Sequence, residues 1–165
     1  MEIEYSNNIE FDDDIWQQFC ESLDVISVSV KDEIVKKSHG VIKIMFEHMI
    51  KYVYNPSKQS TSWVGSIIDG YIILSKVGID QVSKYVNNTE LDSCYIEGRR
   101  KAEKEDKCNT IKNSPKARPY NWNLDILTNI DSIKEFLYMH YNYENVYPFD
   151  IEEYVEYRLK NAKRK

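Results

Sequence analysis

A broad stripe of apolar residues between positions 34 and 53 is the feature that most constrains the fold of this chain. The stripe recurs at three, four and seven residues, the period of a helix with one buried face, through Ile34, Val35, Val41, Ile42, Met45, Phe46, Met49, Ile50 and Val53. It is wide enough to contact two neighbouring helices. Pro56 ends it, because the residue before a proline is disfavoured in helical backbone angles. The pattern predicts one long helix over residues 29–54, begun by Ser29 and Asp32 at capping-box spacing.

A second apolar stripe follows a short polar turn and predicts an antiparallel helix hairpin. It covers residues 62–77, ends at Gly78, and consists of Trp63, Ile67, Ile68, Tyr71, Ile72 and Leu74. Two striped helices joined by a short turn pack side by side in opposite directions. Further helices are predicted over residues 80–107 with a break at 87–89, over 131–140 and over 150–162. The part from residue 90 to 107 is expected to be charged and exposed, and 109–123 to be a loop.

Glycine and proline are scarce, which supports an all-helical reading. The chain has five Gly and four Pro in 165 residues, against a usual combined share of about 12%. So few turn residues argue against a β-sandwich and against a disordered linker. We therefore predict an all-α helical bundle built on the antiparallel hairpin, with additional C-terminal helices. Residues 1–128 are expected to form the bundle, and residues 129–165 a C-terminal extension with a basic tail, packed on the same domain.

Charge is distributed unevenly and suggests a partner. Residues 1–24 carry eight acidic residues and neither Lys nor Arg, whereas residues 99–118 carry eight basic and three acidic residues and the last eight residues carry five basic ones. Such asymmetry is typical of an interaction arm. The acidic start is expected to attract a basic surface, either the chain's own tail or a basic partner. The predicted partner contacts are Asp12, Asp13, Asp14 and Trp16.

The same sequence offers little support for a membrane, secreted or metal-binding protein. No apolar run approaches the ~18 residues that a membrane span requires, and the acidic N-terminus does not resemble a signal peptide. Cys20, Cys94 and Cys108 are widely separated and form no C-x-x-C pair, which is typical of a reducing compartment. We expect a cytoplasmic protein with no cofactor and no metal site.

Signatures of common enzymes are absent from the sequence. It contains no G-x-S-x-G, Walker or G-x-G-x-x-G motif. The Arg-x(4–6)-His pattern of many helical bacterial ribonucleases, in which four to six residues separate the two, is also missing. Its isoelectric point near 5.3 also argues against general DNA binding, for which values above about 9 are usual. A non-catalytic role is the expectation.

Three segments, in order along the chain, resemble one bacterial family, catalogued as domain of unknown function twenty-nine. The segment EHMIKYVYNPSKQSTSW resembles its helix–turn–helix signature, YIEGRRKAEKE is similar to its Tyr-x-x-Ala-Arg helix, and PKARPY resembles its closing Pro-x-x-x-Pro-Tyr segment. The matching positions of the first segment are His48, Lys51, Pro56, Ser62 and Trp63, while Gly98 replaces the Ala of the second. The resemblance covers about residues 9–128. It implies an all-helical bundle and no particular activity.

A polar rim beside the Pro56 turn is the candidate site. His48 and Lys51 lie one helical turn apart and share a face, and the hairpin brings Ser62 and Trp63 towards them from the other side of the turn. Arg99 joins this rim only through the family resemblance. The alternative is that His48 is a locally hydrogen-bonded histidine, that Trp63 anchors the core, and that the basic run from Arg99 is a solvated helix face.

Two functions are compatible with these observations. The first is a non-catalytic regulatory protein, of antitoxin or inhibitor type, that binds a basic surface of a nucleic-acid-handling protein. It is suggested by the acidic start, by 13 tyrosines and by the missing catalytic motifs, since tyrosine is favoured at interfaces. The alternative is an RNA-binding protein or unrecognised nuclease that uses the basic helix at Arg99 and Arg100.

Overall fold

Seven α-helices make up the fold over residues 13–162, the part of the chain that the computed structural model describes. Within residues 13–29 the described side chains are those at 17, 18, 21 and 22. The helices are α1 (Asp13–Tyr54), α2 (Thr61–Val77), α3 (Ile79–Tyr85), α4 (Asn88–Glu105), α5 (Leu124–Leu127), α6 (Ile130–His140) and α7 (Ile151–Ala162). No strand occurs among residues 13–162, so the all-α prediction is confirmed. The chain divides into two units, residues 1–33 and 34–165.

The first helix is longer than the sequence predicted. It ends at Tyr54 as expected but begins at Asp13, whereas the capping-box spacing had placed its start at Ser29. Residues 13–28 contain neither Gly nor Pro, so nothing forces the backbone out of helical angles before Ser29. Serine is tolerated inside a helix when no break precedes it. The capping-box spacing of Ser29 and Asp32 therefore did not mark the start of a helix.

The two predicted stripes meet as an antiparallel hairpin and form the centre of the core. Ile42, Met45 and Phe46 of α1 are fully buried, as are Ile67 and Ile68 of α2. The helices touch at Gly70, where an added Cβ would lie 2.3 Å from Cγ of Met45. Met45 and Gly70 lie at matching distances before and after the turn, which is the register of an antiparallel pair.

Helix α4 is charged but not exposed as predicted, because one of its faces is buried. The buried residues are Leu91, Cys94, Tyr95, Gly98, Arg99 and Ala102, spaced at three and four residues. Because charged residues lie between these buried ones along α4, the sequence pattern did not indicate a buried face. The predicted break before the helix is present: Asn87 caps α4 and forms a capping box with Glu90. The helix ends at Glu105, two residues before the predicted end.

Gly98 allows the backbones of α1 and α4 to approach closely. A Cβ there would lie 2.7 Å from the Lys43 carbonyl oxygen and 2.9 Å from the Glu47 backbone nitrogen. These are main-chain atoms, which cannot rotate away as a flexible side chain can. The separation of the two helices is therefore set by the absence of a side chain at residue 98.

Replacing Gly98 with alanine is expected to destabilise the protein, although alanine is the better helix former. Overpacking typically costs 1–3 kcal/mol and outweighs the roughly 0.5–1 kcal/mol that alanine gains in a helix, so we expect a net loss of about 1–2 kcal/mol in urea unfolding. Gly40→Ala is the matched control, because no heavy atom lies within 4 Å of its Cβ position. It should stabilise the protein; equal stabilisation by both changes would refute close contact at Gly98.

The C-terminal helices are held to the hairpin by Gln59, a buried residue in the turn between α1 and α2. Its side-chain nitrogen donates to the carbonyl oxygens of Tyr52 (2.8 Å) and His140 (2.6 Å), and its side-chain oxygen accepts from the Asn142 backbone N–H (2.8 Å). Tyr52 donates its hydroxyl to the Leu137 carbonyl oxygen at 3.0 Å. These bonds join residues far apart in sequence, so the end of α6 and the following loop have a fixed position beside the turn.

Helix α7 packs along α2, and α5 precedes α6 as a short turn of helix. Arg158 of α7 forms an ion pair with Asp69 of α2. The sequence did not predict α5; Asn123 caps it by accepting from the Asp125 backbone N–H at 3.0 Å. None of the helices in the described part of the chain combines the length and apolarity needed to cross a membrane.

Candidate functional site

Two of the residues predicted for the polar rim, Lys51 and Trp63, line one small cleft beside the Pro56 turn. Its volume is about 70 Å³, and its lining consists of Lys51, Asn55, Lys58, Trp63, Ala102, Glu105, Asp106 and Ile111. Helices α1, α2 and α4 each contribute to it. The hairpin therefore does place residues from both sides of the turn in one cleft.

Lys51 is buried in this cleft between two carboxylates. Its Nζ donates to Glu47 at 2.7 Å and forms an ion pair with Glu105 of α4. Burial by itself lowers the pKa of Lys51, but the hydrogen bonds with Glu105 and Glu47 outweigh it and raise the pKa above the ordinary lysine value. A lysine held in the charged form cannot act as a base or nucleophile at neutral pH, so its role here is to join α1 to α4.

His48 and Ser62 do not belong to the lining of this cleft. The His48 ring donates from Nδ1 to the Ile44 carbonyl oxygen at 2.8 Å, a local bond within α1. Ser62 is exposed, and the hydroxyl that caps α2 belongs to Ser60, which accepts from the Trp63 backbone N–H. The structure thus brings together Lys51 and Trp63 among the predicted rim residues.

Arg99 is buried and fully engaged with the loop that follows α4. Its Nε donates to Glu103 at 2.9 Å, its Nη1 to the Ser114 hydroxyl (3.1 Å) and the Pro115 carbonyl (2.7 Å), and its Nη2 to the carbonyls of Ile111 (2.5 Å) and Ser114 (3.1 Å). A guanidinium has five N–H donors, and here all five are used. Arg99 therefore fixes the loop and has no donor left for a phosphate, whereas Arg100 is exposed.

Cys94, a buried residue of α4, is poorly suited to act as a nucleophile. Burial raises the pKa of the Cys94 thiol to about 11, which keeps it protonated and weakly nucleophilic at neutral pH. No group of three or more His, Cys, Asp or Glu side chains in the described part of the chain could hold a metal ion. The cleft is explained by packing and ion pairing.

A second surface, which sequence reasoning did not locate, lies at the end of α6 and in the loop before α7. Five large apolar side chains within ten residues are exposed: Tyr138 (44%), Met139 (68%), Tyr143 (80%), Val146 (79%) and Tyr147 (81%). We call these five residues the tyrosine patch. The high tyrosine count pointed to an interface, but only the fold shows which tyrosines are exposed.

The loop that carries the tyrosine patch has a fixed conformation. The half-buried Tyr141 ring makes edge contacts with Tyr143 (centroids 5.1 Å apart) and Phe149 (5.2 Å). Asn145 donates its side-chain N–H to the Gln59 carbonyl oxygen at 3.1 Å and accepts from the Tyr147 backbone N–H at 3.3 Å. A surface that is ordered before binding loses less conformational entropy when a partner docks.

The tyrosine patch lies in an acidic part of the chain. Residues 119–157 contain eight acidic residues and a single basic one, Lys134. Among the described residues, only one of these acids forms an ion pair, Glu152 with Lys134 at 2.6 Å. The remaining carboxylates form no ion pair with the described part of the chain, so this segment carries a net negative charge.

The residues predicted near the N-terminus to contact a partner are not among those whose side chains the structure describes. Asp12 lies outside the described residues. Helix α1 includes Asp13, Asp14 and Trp16, but the structure does not describe their side chains.

The relation of this chain to known proteins rests on one match. No curated protein and no solved structure shows a significant match to it. The model of a family described as "Domain of unknown function DUF29" matches residues 9–131, nearly the range over which the sequence resembles that family. The match covers well over half of the 165 residues, so the chain belongs to the DUF29 family.

Proposed function

We propose that this member of the DUF29 family is a non-catalytic interaction protein that binds and regulates a basic protein partner, in the manner of an antitoxin or inhibitor. The tyrosine patch is the observation that supports this function most. Large apolar side chains exposed together are typical of interaction sites, and tyrosine and methionine are enriched at interfaces relative to other surfaces.

The charge of the partner follows from the charge of the chain. Residues 1–24 carry eight acids and no basic residue, and residues 119–157 carry eight acids and one lysine. Both segments attract a basic surface and repel phosphates, because like charges raise the cost of encounter. A protein that handles nucleic acid has the basic surface that this charge pattern favours.

Residues that could support a rival function are already engaged in the structure. Lys51 is paired with Glu47 and Glu105, and every donor of Arg99 is bonded within the fold. An RNA-binding role would depend on Arg100 and Lys101, the exposed basic pair of α4. Stacking on aromatic rings is the usual means of holding single-stranded RNA, and the group of exposed aromatic side chains in the tyrosine patch lies in an acidic part of the chain instead.

We expect the double variant Tyr143→Ser with Tyr147→Ser to capture its protein partner more than about tenfold less well from a lysate of the native host. The reason is that aromatic anchors of an interface each contribute about 2 kcal/mol or more to binding. Partner identity is read by mass spectrometry. Charge-neutralising changes at Asp12, Asp13 and Asp14 should also reduce capture, and added salt should weaken it because exposed charges are screened over about 8 Å at physiological ionic strength.

Tyr120→Ser is the matched control for this experiment, because Tyr120 is 93% exposed and lies outside the tyrosine patch. It should leave capture unchanged and melt like the wild type, since exposed substitutions change stability by about 0.5 kcal/mol or less. The tyrosine double variant loses the ring contact between Tyr143 and Tyr141 and should still unfold cooperatively. Capture that is independent of Tyr143 and Tyr147, or tight RNA binding lost on changing Arg100 and Lys101, would contradict the proposed function.

A further inference from the structure

A cavity of about 270 Å³ lies between α5 and α6, next to the tyrosine patch. Its polar lining includes Asn121, Asp125, Ser132 and Glu135, and its aromatic lining Phe136 and His140. Met139 also lines the cavity and is therefore shared by the cavity and the tyrosine patch.

The two carboxylates of this cavity have no cationic partner among the described residues. Neither Asp125 nor Glu135 forms an ion pair with a residue of the described part of the chain, and both residues are exposed. Some acids of the described surface are matched, as Glu97 is by Lys43 and Asp92 by Arg118, whereas these two are not. The cavity therefore presents two unmatched carboxylates beside neutral hydrogen-bond acceptors.

The inner wall of the cavity consists of His140, which is half-buried, and Phe136, which is only 5% exposed. The rings of Phe136 and His140 lie with centroids 5.0 Å apart, and Phe136 is supported from below by Trp122 at 5.5 Å. Burial lowers the pKa of His140 below the ordinary histidine value, so its ring is uncharged at neutral pH and does not repel a cation. The uncharged His140 ring and the two carboxylates therefore line the same cavity.

We propose that this cavity receives an arginine side chain from the basic partner, which deepens and rests on the proposed function. A guanidinium is planar, offers N–H donors in a fork that matches a carboxylate, and stacks on aromatic faces. An ammonium group is a compact, strongly hydrated charge that gains less from such a wall. The adjoining Met139 and Tyr138 then contact the partner's chain beside that arginine, and the acids of the surface exclude a nucleic-acid occupant.

The test measures binding of the full chain to fluorescently labelled peptides of equal length and charge, one alternating Arg with Ser and the other Lys with Ser. Anisotropy at physiological salt is expected to give an affinity about tenfold higher for the arginine peptide, the gain of about one well-placed bidentate contact. Glu135→Gln with Asp125→Asn should remove this preference. Glu135→Gln alone, at an exposed helix position, should remove most of it.

Glu153→Gln with Glu156→Gln is the control, because it removes the same charge from exposed positions of α7 that do not line the cavity. This variant should keep the arginine preference. Equal affinity for the two peptides in the wild type, or an equal loss of preference in the cavity and control variants, would overturn the arginine site. If partner capture still depends on Tyr143 and Tyr147 in that case, the proposed function survives without the arginine cavity; if it does not, both proposals fail.

Discussion

Met45→Asp and Ile67→Asp are each expected to lower the free energy of unfolding by about 4 kcal/mol or more, enough to leave a chain of this size largely unfolded or melting more than about 10 °C below the wild type. Both side chains are fully buried, one on each helix of the hairpin. Each change places a carboxylate among apolar atoms, where it has no partner and must either stay charged without water or take up a proton.

Ile44→Asp is the control for these core variants. It lies beside Met45 on the same helix but is 44% exposed, so the new carboxylate remains in water and stability should change by about 0.5 kcal/mol or less. Thermal and urea unfolding, followed by circular dichroism, measure all three. If either core variant melts like the wild type, its side chain does not face the core and the assignment of that stripe is wrong.

Local signals in the sequence predicted most of the helix boundaries. Pro56 and Gly78 mark the ends of α1 and the α2 helix because each acts on the backbone of its immediate neighbours, and the Asn87 capping box acts in the same way. The continuity of α1 through residues 13–28 was not predicted, because Ser29 and Asp32 have capping geometry only if the chain before them is not helical. That condition depends on residues 13–28, which contain no residue that breaks a helix.

Burial of charged residues could not be predicted, because it depends on contacts distant in sequence. Lys51 appeared to be a rim residue, but Glu105 of α4 makes it an ion pair between two helices. Arg99 appeared to begin a solvated basic face, but its partners are carbonyl groups 12 to 16 residues later. Charge alone therefore indicates exposure only where the fold provides no counterion or acceptor.

The sequence predicted an interface rich in tyrosine but did not indicate which tyrosines form it. Thirteen tyrosines indicated an interface, yet Tyr52 and Tyr95 are core residues whereas Tyr143 and Tyr147 are about 80% exposed. Their positions differ because Gln59 fixes the loop after α6 beside the hairpin turn, and no local pattern encodes that bond. Neighbouring tyrosines of the same loop thus have opposite roles: Tyr141 supports the loop and Tyr143 faces the solvent.

Arg99→Ala is expected to lower the free energy of unfolding by about 4 kcal/mol and to make residues 106–118 sensitive to protease. The change removes all five hydrogen bonds of a buried guanidinium and leaves the carbonyls of Ser114 and Pro115 without their donor, while the Ile111 carbonyl still accepts from Ser114. A buried group left unpaired costs about 1–3 kcal/mol, and the space once filled by the side chain adds to this. Urea unfolding and limited proteolysis measure the two effects.

Arg100→Ala is the matched control and should have almost no effect on either measurement, because Arg100 is exposed and surface changes stay within about 0.5 kcal/mol. The expected difference in stability between the Arg99→Ala and Arg100→Ala variants also decides how the RNA-binding alternative must be tested. A loss of RNA binding in Arg99→Ala follows from a displaced loop whatever the ligand, so only Arg100→Ala with Lys101→Ala, which keeps the fold, tests contact with phosphate. Wild-type stability in Arg99→Ala would show that the loop does not depend on it, and Arg99 would then return to the candidate phosphate contacts alongside Arg100.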